Sequence, residues 1–266
     1  MLVDCHAHLA LDCFDPDRDL VRDRAKQVGV AVVLVVGEGF EDNRRVDGVV
    51  RAAAGSAGAA LLPCFGFHPD RFADDGPLPT RAEIDATKEQ IRQSAPRLAA
   101  IGEVGLDHWR VTDQQRRKSQ AALLEEFAEL AAELDLPINV HSRSAGHHAI
   151  DLLRGVGARR VLMHAFDGKA SHAVAAARAG YFFSIPPSVW RSPQKHKLVR
   201  GLALESLLLE SDSPVLGPIK EARNEPANVV CARDFIADAH GVPPERVDEV
   251  TTENALRLFS ALKGVL

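Results

Sequence analysis

Short apolar runs rich in Val, Ile, Leu and Phe alternate with longer amphipathic stretches along the whole chain, and this alternation restricts the fold to the α/β class. The runs lie at about 2–9, 30–37, 59–67, 99–106, 137–142, 160–166, 181–186 and 206–212. Several are apolar at every position, as in Val30-Ala31-Val32-Val33-Leu34-Val35-Val36. A strand that buries both faces needs such a run, and parallel sheets covered by helices on both sides supply that burial.

Helical patterns fill the intervals. Asp15-Pro16 opens a segment that runs to Val28, with Gly29 as its stop. In 113–134 the residues Leu123, Leu124, Phe127, Leu130, Ala131 and Leu134 follow the helical period, and Pro137 prevents continuation. Further helices are expected over about 82–95, 146–154, 170–179, 192–200, 226–240 and 244–262, and a loop over 69–80. Eight strands mostly separated by helices predict a (β/α)8 TIM barrel, one domain over 1–266. The rival is an open doubly wound sheet. It is disfavoured because no Gly-rich phosphate loop follows the first strand.

The 266 residues suit one barrel, with 46% hydrophobic residues for a core. The net charge of -5 argues against a protein that holds nucleic acid through a broad basic surface, so phosphate affinity must be local. Cys5, Cys13, Cys64 and Cys231 form no C-x-x-C pair, which fits a reducing compartment. With no basic leader and no apolar run of membrane length, a cytoplasmic monomer is expected.

Six metal-ligating side chains stand where apolar runs give way to polar turns: His6, His8, Glu103, His141, His164 and Asp212. His6 and His8 are two apart on a strand and share a face. One such histidine would more often be a core imidazole satisfied by carbonyls; the H-x-H pair favours metal. Glu103 sits among apolar residues between Gly102 and Gly105, and burying a carboxylate there is costly without a cation. The glycines suggest close backbone approach, and the two oxygens suit a bridge between two metals. Helix capping or an ordinary ion pair is its bland alternative. His141 and His164 each end an apolar run, which could also make them core histidines. Asp212 ends Leu207-Leu208-Leu209-Glu210-Ser211 and suits a metal ligand that takes a proton from water, although a cap before Pro214 competes.

His68, in Gly66-Phe67-His68-Pro69, could hydrogen-bond a phosphate or merely cap a loop, and Arg143, two beyond His141, could meet an anionic substrate or be a solvated surface cation. Arg223, in Arg223-Asn224-Glu225-Pro226, follows the eighth strand, where barrels often bind phosphate. Lys169 is read as a solvated surface cation. His108, His147, His148, His172, His196 and His240 receive no role.

Taken together, Asp4-Cys5-His6-Ala7-His8-Leu9, Gly66-Phe67-His68-Pro69, Ile101-Gly102-Glu103-Val104-Gly105-Leu106-Asp107, His141-Ser142-Arg143, His164-Ala165-Phe166, Glu210-Ser211-Asp212-Ser213-Pro214, Arg223-Asn224-Glu225-Pro226 and Thr252-Glu253-Asn254-Ala255 resemble the TatD family of metal-dependent deoxyribonucleases, within the amidohydrolase-like barrels. The strings His141–Gly146 and Gly180–Ser188 look most like the third TatD-domain-containing branch of animals. The resemblance implies two divalent metal ions. His6, His8, Glu103 and Asp212 would hold one; Glu103, His141 and His164 would hold the other. Ser211 replaces the Thr common in the family, and His108-Trp109 falls where relatives vary and where the substrate groove would change.

The expected activity is hydrolysis of DNA or a nucleotide phosphoester by a hydroxide bridging two metals, with single-stranded ends attacked as by a 3′-exonuclease. Asp212 and Glu103 would be its catalytic carboxylates. Zinc or manganese is expected, with magnesium also admissible. Two alternatives stand beside it: hydrolysis of a small phosphoester or amide by a relative within the superfamily, and a non-catalytic barrel that binds phosphate or nucleic acid. Many such relatives bridge their metals through a modified Lys, and no strand-end Lys exists here.

Overall fold

The apolar runs become eight strands in a computed structural model that describes residues 1–266. They are β1 (Leu2–Ala7), β2 (Val30–Val36), β3 (Ala60–Phe65), β4 (Ala100–Gly105), β5 (Ile138–His141), β6 (Val161–Met163), β7 (Phe182–Ile185) and β8 (Leu207–Leu209). Each pairs in parallel with the next in chain order. The ring closes past the last strand: Asp212 N donates to His6 O at 2.9 Å and His8 N to Ser213 O at 2.8 Å. The architecture is a (β/α)8 barrel.

Nine helices surround it: α1 (Arg18–Gln27), α2 (Phe40–Ala53), α3 (Arg81–Ser94), α4 (Gln114–Glu133), α5 (Gly146–Gly155), α6 (Ala170–Arg178), α7 (Pro193–Gly201), α8 (Val229–His240) and α9 (Pro244–Leu258). Local chemistry sets their ends. Thr80 and Glu83 form a capping box at the start of α3, and the Asp113 side chain accepts from Arg116 N at the start of α4. Gly29, at φ 93°, takes the left-handed turn that carries the chain from α1 into β2.

The sequence reading missed α2. Its stripe is weak, because only Asn43, Val46 and Ala53 are buried while Glu41, Arg44 and Arg51 face water. The final helix also ends earlier than expected, at Leu258, and a short 3-10 turn (Ser260–Gly264) completes the segment. The stretch 69–80 contains a 3-10 turn at Pro69–Phe72.

Two apolar clusters hold the barrel. The larger packs the helices onto the outside of the sheet, with Phe14, Val46, Phe127, Leu153 and Leu198 among its members. The smaller fills the interior with alternating strand residues (Val32, Leu34 and Val36, with Cys64, Ala100, Leu162 and Leu208). Leu258, Phe259 and Leu262 join it. Leu162 is the register partner of Asn139, whose amide reaches the ring of His6 from within the barrel. Apolar filling thus gives way to polar side chains toward the C-terminal strand ends, where barrel chemistry is sited.

Candidate metal centre

Glu103 of β4 lies at the middle of this polar layer and is almost fully buried. Its two oxygens face different imidazoles. Oε2 is 3.3 Å from His6 Nε2 and 3.5 Å from His8 Nε2. Oε1 is 2.7 Å from His141 Nδ1, 3.2 Å from His164 Nε2 and 3.3 Å from His68 Nε2. Asp212 closes the first group, its Oδ1 lying 3.4 Å from His8 Nε2 and 3.8 Å from His6 Nε2. All six expected ligands, together with His68, therefore meet in one place.

The backbone is shaped to allow this convergence. A Cβ on Gly66 would lie 2.3 Å from Glu103 N, one on Gly102 would lie 2.6 Å from the Asn139 Cβ, and one on Gly105 would lie 2.0 Å from His141 O. Glycine at these positions brings β3, β4 and β5 close enough for their side chains to share one carboxylate. His164 and Asp212 lie just beyond the short strands β6 and β8, not on them. Ala165 (φ 42°) and Asp212 (φ 50°) leave the extended conformation there and turn the chain at the barrel mouth.

A second set of side chains orients the imidazoles. Asn139 Nδ2 donates to Cys5 O at 3.2 Å, which leaves Asn139 Oδ1 to accept from His6 Nδ1 at 3.1 Å. Glu38 lies 3.3 Å from His8 Nδ1, Asp107 is 3.1 Å from His141 Nε2, and Glu210 is 3.3 Å from His164 Nδ1. Ser184 Oγ and Ala165 N hold the Glu210 carboxylate in place. In each case one ring nitrogen is occupied and the other is presented to the centre, the usual arrangement around a metal-binding histidine. The sequence reading gave no role to these four partners. Asn139, Asp107 and Glu210 nevertheless lie within four residues of expected ligands, inside the same polar strand ends.

Charge at the centre is balanced tightly. Burial pushes the Glu103 carboxyl up, but His68, His6, His164 and His141 outweigh it and hold the group well below its ordinary range. Burial likewise opposes ionisation of Asp212, and its hydrogen bond with His8 and the nearby imidazoles reverse the shift downward. For His8, burial is overcome by the Asp212 hydrogen bond and by Glu103, Asp212 and Glu38, which raise it to about 9. His141 is raised to about 9 against its burial by Asp107 and Glu103. Without a metal, these imidazoles hold protons where a cation would sit.

The residues fit divalent ions. Their donor atoms fall into overlapping groups (His6, His8 and Glu103; His6, His164 and Asp212; His68, Glu103 and His141), each within 4.8 Å. Glu103 Oε2 receives no well-directed hydrogen bond although it is buried. An acceptor left open amid imidazole nitrogens is what a shared cation would satisfy.

The centre opens into a cavity of about 510 Å³, lined also by Ser142, Arg143, Asp167 and Lys195. Lys195, from α7, escaped the sequence reading because its helix carries an ordinary amphipathic pattern. Its ammonium is buried, donating to Ala165 O at 2.9 Å and Phe166 O at 3.5 Å, and no carboxylate pairs with it. Desolvation lowers its pKa. Arg143 lies exposed at the lip with its guanidinium 3.8 Å above the Trp109 ring. Arg223 points elsewhere. It pairs with Asp17 at 2.6 Å, donates to Cys13 O and covers Phe14, fastening the loop after β8 to the one after β1. Lys169 is exposed, as expected.

A family model described as TatD related DNase matches residues 3–260. Putative deoxyribonuclease TATDN3 of Mus musculus is 44% identical, the alignment covering 100% of this chain and 90% of that protein. Deoxyribonuclease TATDN3 of Homo sapiens is also 44% identical, covering 100% of this chain and 97% of that protein. The uncharacterized metal-dependent hydrolase YabD of Bacillus subtilis is 31% identical over 97% of this chain and 99% of its own. The crystal structure of YjjV, a TatD homologue from Escherichia coli, superposes with a TM-score of 0.85 at 24% identity, covering 97% of this chain and 98% of that one, a likeness of fold. With the matching model spanning nearly the whole sequence, the chain belongs to the TatD-related DNase family of metal-dependent hydrolases that act on ester bonds.

Proposed function

We propose that this protein hydrolyses phosphodiester bonds of DNA at single-stranded ends, removing nucleotides from the 3′ side with two divalent ions held around Glu103. The observation that carries the reading is the division of Glu103: Oε2 toward His6 and His8, Oε1 toward His141 and His164. His6, His8, Glu103 and Asp212 would hold one ion, and Glu103, His141 and His164 the other. Zinc or manganese suits this imidazole-rich set, and magnesium is admissible. When bound, such ions activate water near neutral pH and polarise the phosphate.

The chain's own groups supply the rest. Asp212, held ionised at neutral pH, takes the proton of the attacking water on its carboxylate. Lys195, whose ammonium contacts backbone carbonyls and no carboxylate, offers a buried positive charge to the anionic phosphate. His68, 3.3 Å from Glu103 through Nε2 while its Nδ1 accepts from Asp70 N, is fixed to face the same phosphate. Arg143 at the lip meets the strand entering the cavity. The net charge of -5 favours a flexible single strand, which reaches the centre without a broad basic surface.

The test is metal analysis of the purified protein combined with product mapping on an end-labelled single strand. One mononucleotide released per step from the 3′ end, abolished by a chelator, is the expected result. Undiminished cleavage after metal removal would overturn it.

A further inference from the structure

We propose that Trp109 is a stacking platform for a nucleobase of the strand whose phosphate occupies the centre, so that this side chain sets the preference for unpaired nucleic acid. The inference rests on the nuclease reading above and adds a residue to which that reading gives no part. Trp109 follows the β4 end and is 57% exposed, a large apolar surface left in water beside the cavity. Arg143, a lining residue of the cavity, covers one face of its ring at 3.8 Å. The indole therefore packs against a cation that itself lines the cavity, which sets it beside the phosphate site.

The platform is also fixed to the centre. Asp107 Oδ1 accepts from Trp109 N at 2.9 Å and Arg110 N at 2.8 Å, while Asp107 Oδ2 is 3.1 Å from His141 Nε2. One carboxylate thus anchors both the Trp109 turn and an imidazole of the centre. His108 N donates to Arg143 O at 3.0 Å, tying the loops after β4 and β5 together. A Trp presented on a turn this constrained loses little freedom on stacking with a base. Every base has a π-face, so the contact tolerates sequence, and bases stacked inside a duplex have no free face to offer. Arg143 serves the arrangement twice, holding the ring and offering its charge to the sugar–phosphate chain.

Two measurements test the proposal. Replacing Trp190, the only other Trp in the chain, by Phe makes Trp109 the sole indole reporter. Titrating metal-loaded Trp190→Phe protein with a cleavage-resistant single-stranded phosphorothioate oligothymidylate should quench its fluorescence, and the matching duplex should quench far less. In turnover, Trp109→Ala should raise KM for the single strand about 5- to 100-fold with kcat changed by less than about two-fold, and Trp109→Phe should recover most of the loss. No quenching, or an unchanged KM in Trp109→Ala while the wild type turns over the strand, would overturn the platform. A wild type that cleaves no strand would sink the nuclease reading instead. The binding titration still judges the platform in that case.

Discussion

Glu103 Oε1 lies 2.7 Å from His141 Nδ1, and the opposite nitrogen of the same ring lies 3.1 Å from Asp107, so one imidazole is clamped between two carboxylates. The clamp selects the ring face and nitrogen offered to the centre. Removing Asp107 leaves every proposed ligand in place but frees the ring. Asp107→Ala should therefore lower metal affinity about 10- to 100-fold with little change in far-UV circular dichroism. Competition against a chromophoric chelator measures this, and wild-type affinity would show that Asp107 orients nothing.

Glu103→Ala removes the carboxylate that both groups of imidazoles face, and Asp212→Ala removes the proposed proton acceptor. Each should depress turnover at least about a thousand-fold while the barrel stays folded. Retained activity in either variant on a single-stranded substrate would contradict the assigned roles.

Proton linkage gives a signed expectation. In the metal-free protein His8 and His141 keep their protons up to about 9, against 6.5 for free imidazole. The stabilisation this provides is complete below pH 6.5 and is lost as pH rises through 9. Asp4, which burial raises from its ordinary 3.8 to about 8, acts in the same direction but over a lower window, from pH 3.8 to 8. The metal-free protein should thus lose thermal stability between pH 6.5 and 9. Metal ions need the neutral imidazoles, so their affinity should climb over the same window with proton release. Calorimetry in buffers of different ionisation enthalpy reads that release directly; proton uptake would refute the assignment.

Lys195 is a buried cation without a carboxylate partner. Lys195→Met keeps the length of the side chain and removes the charge. It should cost about 10- to 100-fold in kcat/KM on a phosphodiester, leave metal content unchanged and leave thermal stability equal or higher. A fall in stability with unaltered kinetics would make Lys195 a structural residue only.

A Cβ on Gly105 would meet His141 O at 2.0 Å, and the residue sits at φ 150°. Gly105→Ala should therefore destabilise the protein by about 3 kcal/mol or more and weaken metal binding, because β4 and β5 are forced apart. Gly155→Ala, where a Cβ meets nothing within 4 Å, is the matched control. Denaturant unfolding of the two variants separates them.

Burial and period are local properties, and the sequence stated them openly. The doubly apolar run 30–37 marked a covered strand, and eight apolar runs between helical stretches favoured the barrel over the open doubly wound sheet. The six proposed ligands were legible because each interrupts or ends an apolar run with a group that costs free energy to bury alone. α2 was not legible, because Val46 and Ala53 mark too narrow a stripe among charges. Pairing across the ring was beyond local reading as well. Strand pairing sets Asp107 against His141, and only the folded barrel brings Asn139 under His6 and the ammonium of Lys195 into the cavity. The same folding draws Arg223 away from the site expected for it and onto Asp17. Which cation meets which carboxylate depends on distances between loops far apart in the chain, and those distances exist only once the sheet has curved shut.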